Sequence, residues 1–191
     1  QMCIRDRARE ELAQCQYADN LDDYPIEVHW ISEVPHEEKF ALLFQANMAE
    51  LGMKVEVVQM PWLSVVEETA AEDTSPHIVT VYVSAALPEA GLMIKDRYHS
   101  STAPTWQQNE WLLDTELDEA IDDALATADQ AERFAKYAEL EARIMEMCPS
   151  LFLYDQLEQH AVVDYVDWNP DELSGLMGYD FWLPAIGVNP P

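Results

Sequence analysis

The order strand, helix, strand between residues 26 and 57 constrains the fold of this chain more than any other feature. Ile26, Val28 and Trp30 alternate with polar residues, which is the period of a strand with one face against a core. A helical pattern then opens at Pro35 and stops at Gly52, and a second alternating segment begins at Met53. Because the connections are this short, the pattern predicts a right-handed parallel unit and therefore an α/β fold.

The apolar face of the predicted helix recurs at spacings of three and four residues. The pattern predicts a shorter helix over Leu63 to Ala71. It predicts a central strand over Ile78 to Val83, because that segment is almost continuously apolar. Two further helices are predicted, one capped by Thr115 with Asp118 and one capped by Asp129 with Glu132. Short strands are expected at Leu151 to Tyr154 and at Ala161 to Val166. The apolar face of the first helix consists of Phe40, Leu43, Phe44, Met48 and Leu51. The helix capped by Thr115 carries Leu117, Ile121, Leu125 and Ala128, and the helix capped by Asp129 carries Phe134, Tyr137, Ile144 and Met145.

Residues 84–113 lack clear periodicity and are predicted to form a long loop, which in a compact domain is usually functional. Trp106 and Trp111 lie in this segment, and exposed indole rings offer a large stacking surface to a ligand. Tyr82 ends the predicted central strand, where α/β sheets place their ligands. Edge packing beneath a loop accounts for these rings equally well.

The charge of the chain excludes two classes of partner. Its 37 acidic and ten basic side chains give a formal charge of -27, which repels nucleic acid phosphates and anionic lipid headgroups. Such self-repulsion is relieved by salt, so a saline habitat is one interpretation, and a merely acidic, soluble surface is the other.

Sequence signatures of catalysis are missing. The chain has no glycine-rich phosphate loop, nucleophile elbow or paired metal-binding histidines, and its five histidines and three cysteines are scattered. We therefore predict no catalytic residue, no metal site and no cofactor. Carboxylates are so abundant that a hydrolase acting through two of them stays open as the alternative from another class.

Several phrases of the sequence resemble, in order and spacing, the peptide, nickel and dipeptide binding proteins of ABC importers, which form family 5 of the extracytoplasmic solute-binding proteins. The match extends over about residues 8 to 170. Its phrases are Ala8 to Ala13, Ile26 to Ile31, Gln45 to Glu56, Trp62, Leu117 to Glu119, Ala128 with Asp129, Glu132 with Arg133, Tyr137 to Glu141, and Cys148 to Tyr154.

The resemblance implies a type II periplasmic-binding-protein-like fold with a mixed, mostly parallel sheet flanked by helices. Residues 8–160 would form the second lobe, and residues 161–191 the crossover and return segment toward a missing first lobe. We expect residues 1–7 to be a non-native leader, because they resemble a string found at the ends of genes predicted from short-read assemblies. The complete protein would be a periplasmic or extracytoplasmic monomer, with a signal peptide or membrane tether in the missing part.

The same resemblance implies that the protein closes on an oligopeptide or similar polar solute and delivers it to a membrane permease. In the family an acidic residue before the proline that corresponds to Pro88 can hold a peptide's amino group, but Leu87 occupies that place here, and Glu89 is the nearby substitute. Asn109 matches an asparagine that could bond a ligand's backbone, or could cap its own loop. A nickel chelate or an oligosaccharide is the alternative solute, and a scaffolding lobe with an acidic surface is a third hypothesis. The expected ligand-binding residues are Tyr82, Glu89, Trp106, Asn109 and Trp111, with hinges near Pro25 and Val162.

Overall fold

The computed structural model describes residues 2–84, 87, 89–155, 161–168 and 186–189. Pro88, His160 and most of the expected return segment therefore lie outside the described residues. The chain divides into two compact units. The sheet unit comprises Gln1–Tyr82 with Pro104–Asn109, and the helical unit comprises Val83–Ala103 with Glu110–Pro191.

The sheet unit is built on the predicted strand, helix and strand. Its three strands are all parallel, in the order β2, β1, β3, and Ile26 of β1 is aligned with Val55 of β2. Gly52 has a φ of 81°, so the predicted left-handed stop of the helix is confirmed. The elements are α1 (Met2–Ala13), a 3-10 turn (Leu21–Asp23), β1 (Ile26–Ile31), α2 (Glu37–Ala49), β2 (Val55–Met60), α3 (Trp62–Glu68) and β3 (Ile78–Val79).

Strand β1 is covered on both faces. Val28 and Trp30 face α2 and form a buried cluster with Ala41. His29, on the opposite face, has its Nδ1 2.9 Å from the Glu68 carboxylate of α3. Alternate side chains of one strand therefore join different helices, as the period of two requires.

The predicted burial face of α2 is partly wrong. Leu43 is 63% exposed, whereas Ala41 is fully buried and packs with Phe44 and Met48 against the sheet. Leu43 lies roughly 200° around the helix from Ala41, since each residue turns about 100°. The small side chain of Ala41 allows α2 to approach the sheet on that side, so this is the buried face of the helix. The larger side chain of Leu43 points to solvent.

The prediction that Ile78 to Val83 forms a central strand is wrong. Strand β3 covers only Ile78–Val79, and among the described residues it pairs on one side alone, with β1. The Thr80 N–H still donates to the His29 carbonyl at 2.9 Å, and the chain then leaves the sheet. The residues from Ile78 to Val83 are half-buried, which accounts for their apolar character. The central strand of the sheet is β1.

The helical unit contains α4 (Ala90–Tyr98), α5 (Thr115–Ala126) and α6 (Gln130–Met147), with a short antiparallel pair, β4 (Val166–Asp167) and β5 (Gly187–Val188). The prediction that residues 84–113 form one long loop is therefore wrong, because α4 and a 3-10 turn (Ser100–Thr102) lie within it. Helix α4 packs on α5 through a shared core. That core consists of Ile94, Tyr98, Leu117, Ile121, Ala124, Tyr137, Leu140 and Ile144.

One predicted helical face and one predicted cap need correction. Phe134 and Met145 are 51% and 60% exposed, and Leu140 is buried instead on α6. Asp129 does cap α6, accepting from the Glu132 N–H at 2.9 Å, as predicted. Helix α5 is capped by Asp114, whose carboxylate accepts from the Leu117 N–H at 3.0 Å, and not by the Thr115 and Asp118 pair.

Asp118 has a different partner, because its carboxylate accepts from the Ser100 N–H at 2.8 Å. Helix α6 ends at Met147, and its C-cap residue Cys148, immediately before Pro149, has a φ of 53°. The expected strand at 151–154 is not formed within the described residues, and the expected strand at 161–166 is reduced to β4. An exposed segment without a described neighbouring strand makes no ladder, whatever its apolar pattern.

Candidate functional site

The three parallel strands of the sheet unit end at one common edge, and the segments that follow them carry aromatic and acidic side chains. Ser32 and Glu33 follow β1, Trp62 follows β2, and Tyr82 lies three residues beyond the end of β3. The carboxyl edge of a parallel sheet is where α/β folds bind their ligands. We therefore take this edge as the candidate site of the sheet unit.

Tyr82 belongs to an aromatic cluster at this edge. Its ring centroid lies 5.1 Å from that of His36 and 6.4 Å from that of Phe40. His36 and Phe40 are themselves 6.2 Å apart, edge to face. The cluster brings together the start of α2 and the chain that leaves β3, and its half-buried rings offer a surface on which a ligand could stack.

A buried carboxylate supports the cluster. Glu37 is only 1% exposed, and its Oε2 accepts from the Ile31 N–H and from the Thr80 hydroxyl, each at 3.0 Å. Its Oε1 has no hydrogen-bond partner among the described residues. Burial raises the pKa of the Glu37 carboxyl, and the two hydrogen bonds partly offset that rise.

Glu37 therefore ties the first turn of α2 to the ends of β1 and β3, which positions His36 beside it. Sequence reasoning missed this residue, because an acidic side chain in the first helical turn is an ordinary surface feature. Its hydrogen bond with Thr80 joins residues 43 positions apart in the sequence, and no local sequence pattern predicts such a contact.

Trp106 is paired with Trp62 at the same edge. The two ring centroids are 4.9 Å apart with an interplanar angle of 75°, and both side chains are half-buried. The two carboxylate oxygens of Glu33 accept from the Trp62 backbone N–H at 3.2 and 3.1 Å. A hydrogen bond from Ser32 is the first cause that lowers the pKa of Glu33, so this exposed carboxylate is ionised at neutral pH.

Asn109 is half-buried in the segment Pro104–Asn109, which belongs to the sheet unit. Its neighbour Gln108 is fully buried, and the Gln108 N–H donates to the Thr105 carbonyl at 3.2 Å. This turn holds the segment that carries both Trp106 and Asn109. Three of the five predicted residues therefore share one unit.

The other two predicted residues, Glu89 and Trp111, belong to the helical unit. Glu89 caps α4 by accepting from the Gly91 N–H at 3.3 Å, and its carboxylate lies 3.8 Å from the Arg133 guanidinium. The Tyr137 hydroxyl is the first cause that lowers the pKa of Glu89. The Glu89 carboxylate thus has structural partners inside its own unit.

Trp111 has a φ of 51°, which is uncommon for a bulky side chain. Backbone strain of this kind persists only where the surroundings hold it, and it concentrates at functional positions. The neighbouring Glu110 is bonded to Arg97 and accepts from the Ser150 hydroxyl at 2.9 Å. This buried ionic contact anchors the chain immediately before the strained tryptophan.

In the described parts of the chain, no three His, Cys, Asp or Glu side chains gather closely enough to hold a metal ion. The helices described here are all too short or too polar to cross a bilayer.

The fold is that of the type II periplasmic binding proteins, as the resemblance implied, and solved structures of ABC-transporter binding proteins match it. The sequence itself matches no family model and no curated protein. The structural match confirms the predicted fold class, an α/β arrangement with a parallel sheet.

Three of these structures illustrate the match. The periplasmic binding protein DppA from Helicobacter pylori, in complex with the peptide STSA, is 20% identical with a TM-score of 0.65, covering 75% of this chain and 27% of that one. The oligopeptide-binding protein AppA from Bacillus subtilis, bound to a nonapeptide, is 18% identical with a TM-score of 0.63, covering 75% and 30%. A nickel ABC transporter structure from Bacillus halodurans is 25% identical with a TM-score of 0.55, covering 65% and 25%. The chain thus spans less than a third of the length of the structures it matches.

Proposed function

We propose that this chain forms part of the substrate-binding component of an ABC importer, which captures an oligopeptide or similar polar solute and delivers it to a membrane permease. The observation that carries the proposal is the fold match to DppA over 75% of the chain, with a TM-score of 0.65. The matched structures are described as binding proteins, which supports a role in binding and not in catalysis. The complete protein would act outside the cytoplasm, where its solute is found.

In this proposal the solute contacts the carboxyl edge of the sheet unit. The Tyr82 cluster and the Trp106 pair supply stacking surfaces there, and Asn109 supplies an amide for hydrogen bonding. Glu89 and Trp111, in the helical unit, remain ligand-binding residues proposed from the sequence. Binding would close the complete protein through hinges near Pro25 and Val162, as periplasmic binding proteins do.

A nickel chelate is the second candidate solute. The observation in its favour is the nickel ABC transporter structure from Bacillus halodurans, which has 25% identity to this chain. An oligosaccharide is the third, because sugars stack on paired aromatic rings of the kind that Trp62 and Trp106 form. Both candidates keep the role in transport and change only the solute.

The test is a binding screen on the complete protein with peptides, oligosaccharides and nickel chelates, followed by substitution of the tryptophans. Trp106→Ala and Trp111→Ala should each weaken binding of the identified solute by roughly 1 to 3 kcal/mol, as truncation of an aromatic anchor does. Calorimetric titration measures the affinity, and thermal melting checks the fold.

The matched control is Leu43→Ala. Leu43 is 63% exposed on α2 and points to solvent. Its substitution should leave the affinity unchanged. Binding of no solute from any of the three classes would contradict the proposed function, and a large drop in melting temperature with unchanged affinity would show that the two tryptophans serve packing alone.

A further inference from the structure

The outward face of α2 presents two leucines to solvent, Leu42 and Leu43, which are 46% and 63% exposed. Leu43 belongs to a stripe with Lys39, Ala46 and Glu50, because these four residues follow one another at spacings of four, three and four. Glu50 directly follows the last helical residue and keeps the helical backbone conformation. All four stripe residues are exposed, on the side of the helix opposite the sheet.

Lys39 differs from the other lysines of the chain. It forms no ion pair with any described residue, whereas Lys54, Lys95 and Lys136 each lie within 2.8 Å of a carboxylate oxygen. The chain has 37 acidic side chains, so an unpaired cation is uncommon on its surface. A lysine on an otherwise apolar helical face indicates a partner surface that combines apolar groups with a carboxylate.

The stripe is complementary to itself. If two copies of α2 pack antiparallel about a two-fold axis midway between residues 44 and 45, Lys39 lies opposite Glu50 and Leu43 lies opposite Ala46. Each pair then occurs twice, because a two-fold contact uses the same surface on both copies. The pairing of a large with a small side chain allows the helices to approach, and an ion pair closes each end of the contact.

We propose that the outward face of α2 binds a second copy of this protein through an antiparallel, two-fold helix pair. The proposal goes beyond the role in transport and does not depend on the identity of the solute. It replaces the monomeric state implied by the resemblance. One helix from each copy gives an interface below the standard size, so we expect a weak dimer that is populated at high protein concentration.

Sedimentation velocity on the complete protein measures the dimer, at loading concentrations up to roughly 500 µM because the interface is small. Sodium chloride is held at roughly 0.3 M, where the screening length lies between about 3 and 8 Å and suppresses repulsion between distant charges more than a contact ion pair. Glu50→Lys should weaken the dimer at least about tenfold, because like charges would then meet Lys39 at both ends. Combining Glu50→Lys with Lys39→Glu should restore the parent affinity.

Glu72→Lys is the matched control for net charge. Glu72 is exposed and lies outside α2, so its substitution changes the net charge as Glu50→Lys does and should not weaken the dimer. Leu43→Ala should weaken the dimer several-fold by removing apolar contact area. Melting curves confirm that each variant is folded before its dimerisation is compared.

Zero-length cross-linking with a carbodiimide locates the contact. Within one copy, Lys39 and Glu50 are separated by about 16 Å along the helix axis, so the reagent can join them only between copies. A mixture of isotope-labelled and unlabelled protein should therefore yield a Lys39–Glu50 peptide that carries one labelled and one unlabelled strand.

Three results would overturn the proposal. The first is a parent protein that sediments as a monomer at every concentration, and the second is a Glu50→Lys variant that dimerises as well as Glu72→Lys. The third is a cross-link from Lys39 to a carboxylate of the same copy outside these 191 residues, which would show that the rest of the protein covers this face. None of these results bears on the transport role, which the solute-binding screen tests separately.

Discussion

Substitution of Gly91 by alanine tests the packing of the helical unit most sharply, because two effects of opposite sign compete at this residue. Gly91 is the second residue of α4 and is buried against Tyr137. In an exposed helix, Gly→Ala stabilises by about 1 kcal/mol, since alanine has the higher helix propensity. Here the new Cβ would lie 2.5 Å from the Tyr137 Cζ and 2.7 Å from its Cε1.

The packing effect should dominate. Tyr137 is 4% exposed and is enclosed by the core of α4, α5 and α6, so its ring cannot move aside cheaply. Overpacking of this kind costs roughly 2 to 3 kcal/mol, at the upper end of the usual range. After the gain in propensity is subtracted, we expect Gly91→Ala to lower the free energy of unfolding by about 1 to 2 kcal/mol.

Denaturant unfolding followed by circular dichroism measures the effect. The control for propensity is Ala90→Gly, one residue earlier and exposed, which should cost no more than about 1 kcal/mol. A double-mutant cycle with Tyr137→Leu should recover about 1 kcal/mol or more of the loss, because the ring that meets the new methyl group is gone. If Gly91→Ala unfolds at a higher denaturant concentration than the parent, the assigned packing of Tyr137 is wrong.

Two further predictions concern charge. The melting temperature of the chain should rise with sodium chloride, because at a formal charge of -27 the screening of self-repulsion outweighs the weakening of ion pairs made by ten basic residues; a flat or falling series would contradict both this balance and a saline habitat. Burial raises the pKa of Glu37 in the folded state, so its contribution to stability is present in acid and is lost as pH rises through that pKa. Glu37→Gln should therefore gain stability relative to the parent as pH rises from 4 to 7, and a stability difference independent of pH would show that Glu37 does not titrate in this range.

The features that the sequence alone determined are local ones. The alternation of Ile26, Val28 and Trp30 specified β1, and Gly52 specified the end of the helical segment, because each depends on neighbouring residues and backbone sterics. The Asp129 cap was likewise readable, since its acceptor and donor lie three residues apart. Together these features sufficed for the α/β class and for the order of β1, α2 and β2.

Tertiary structure decided the pairings across long stretches of sequence. The contact of Glu37 with Thr80, the pairing of Trp62 with Trp106 and the exposure of Leu43 depend on how the elements dock, and the periodicity of α2 allowed more than one buried face. The sequence did not predict helix α4, because Pro88 and Gly91 are typical of loops. Residue 91 is a glycine because Tyr137 leaves no room for a side chain there, and only packing between distant residues imposes that requirement.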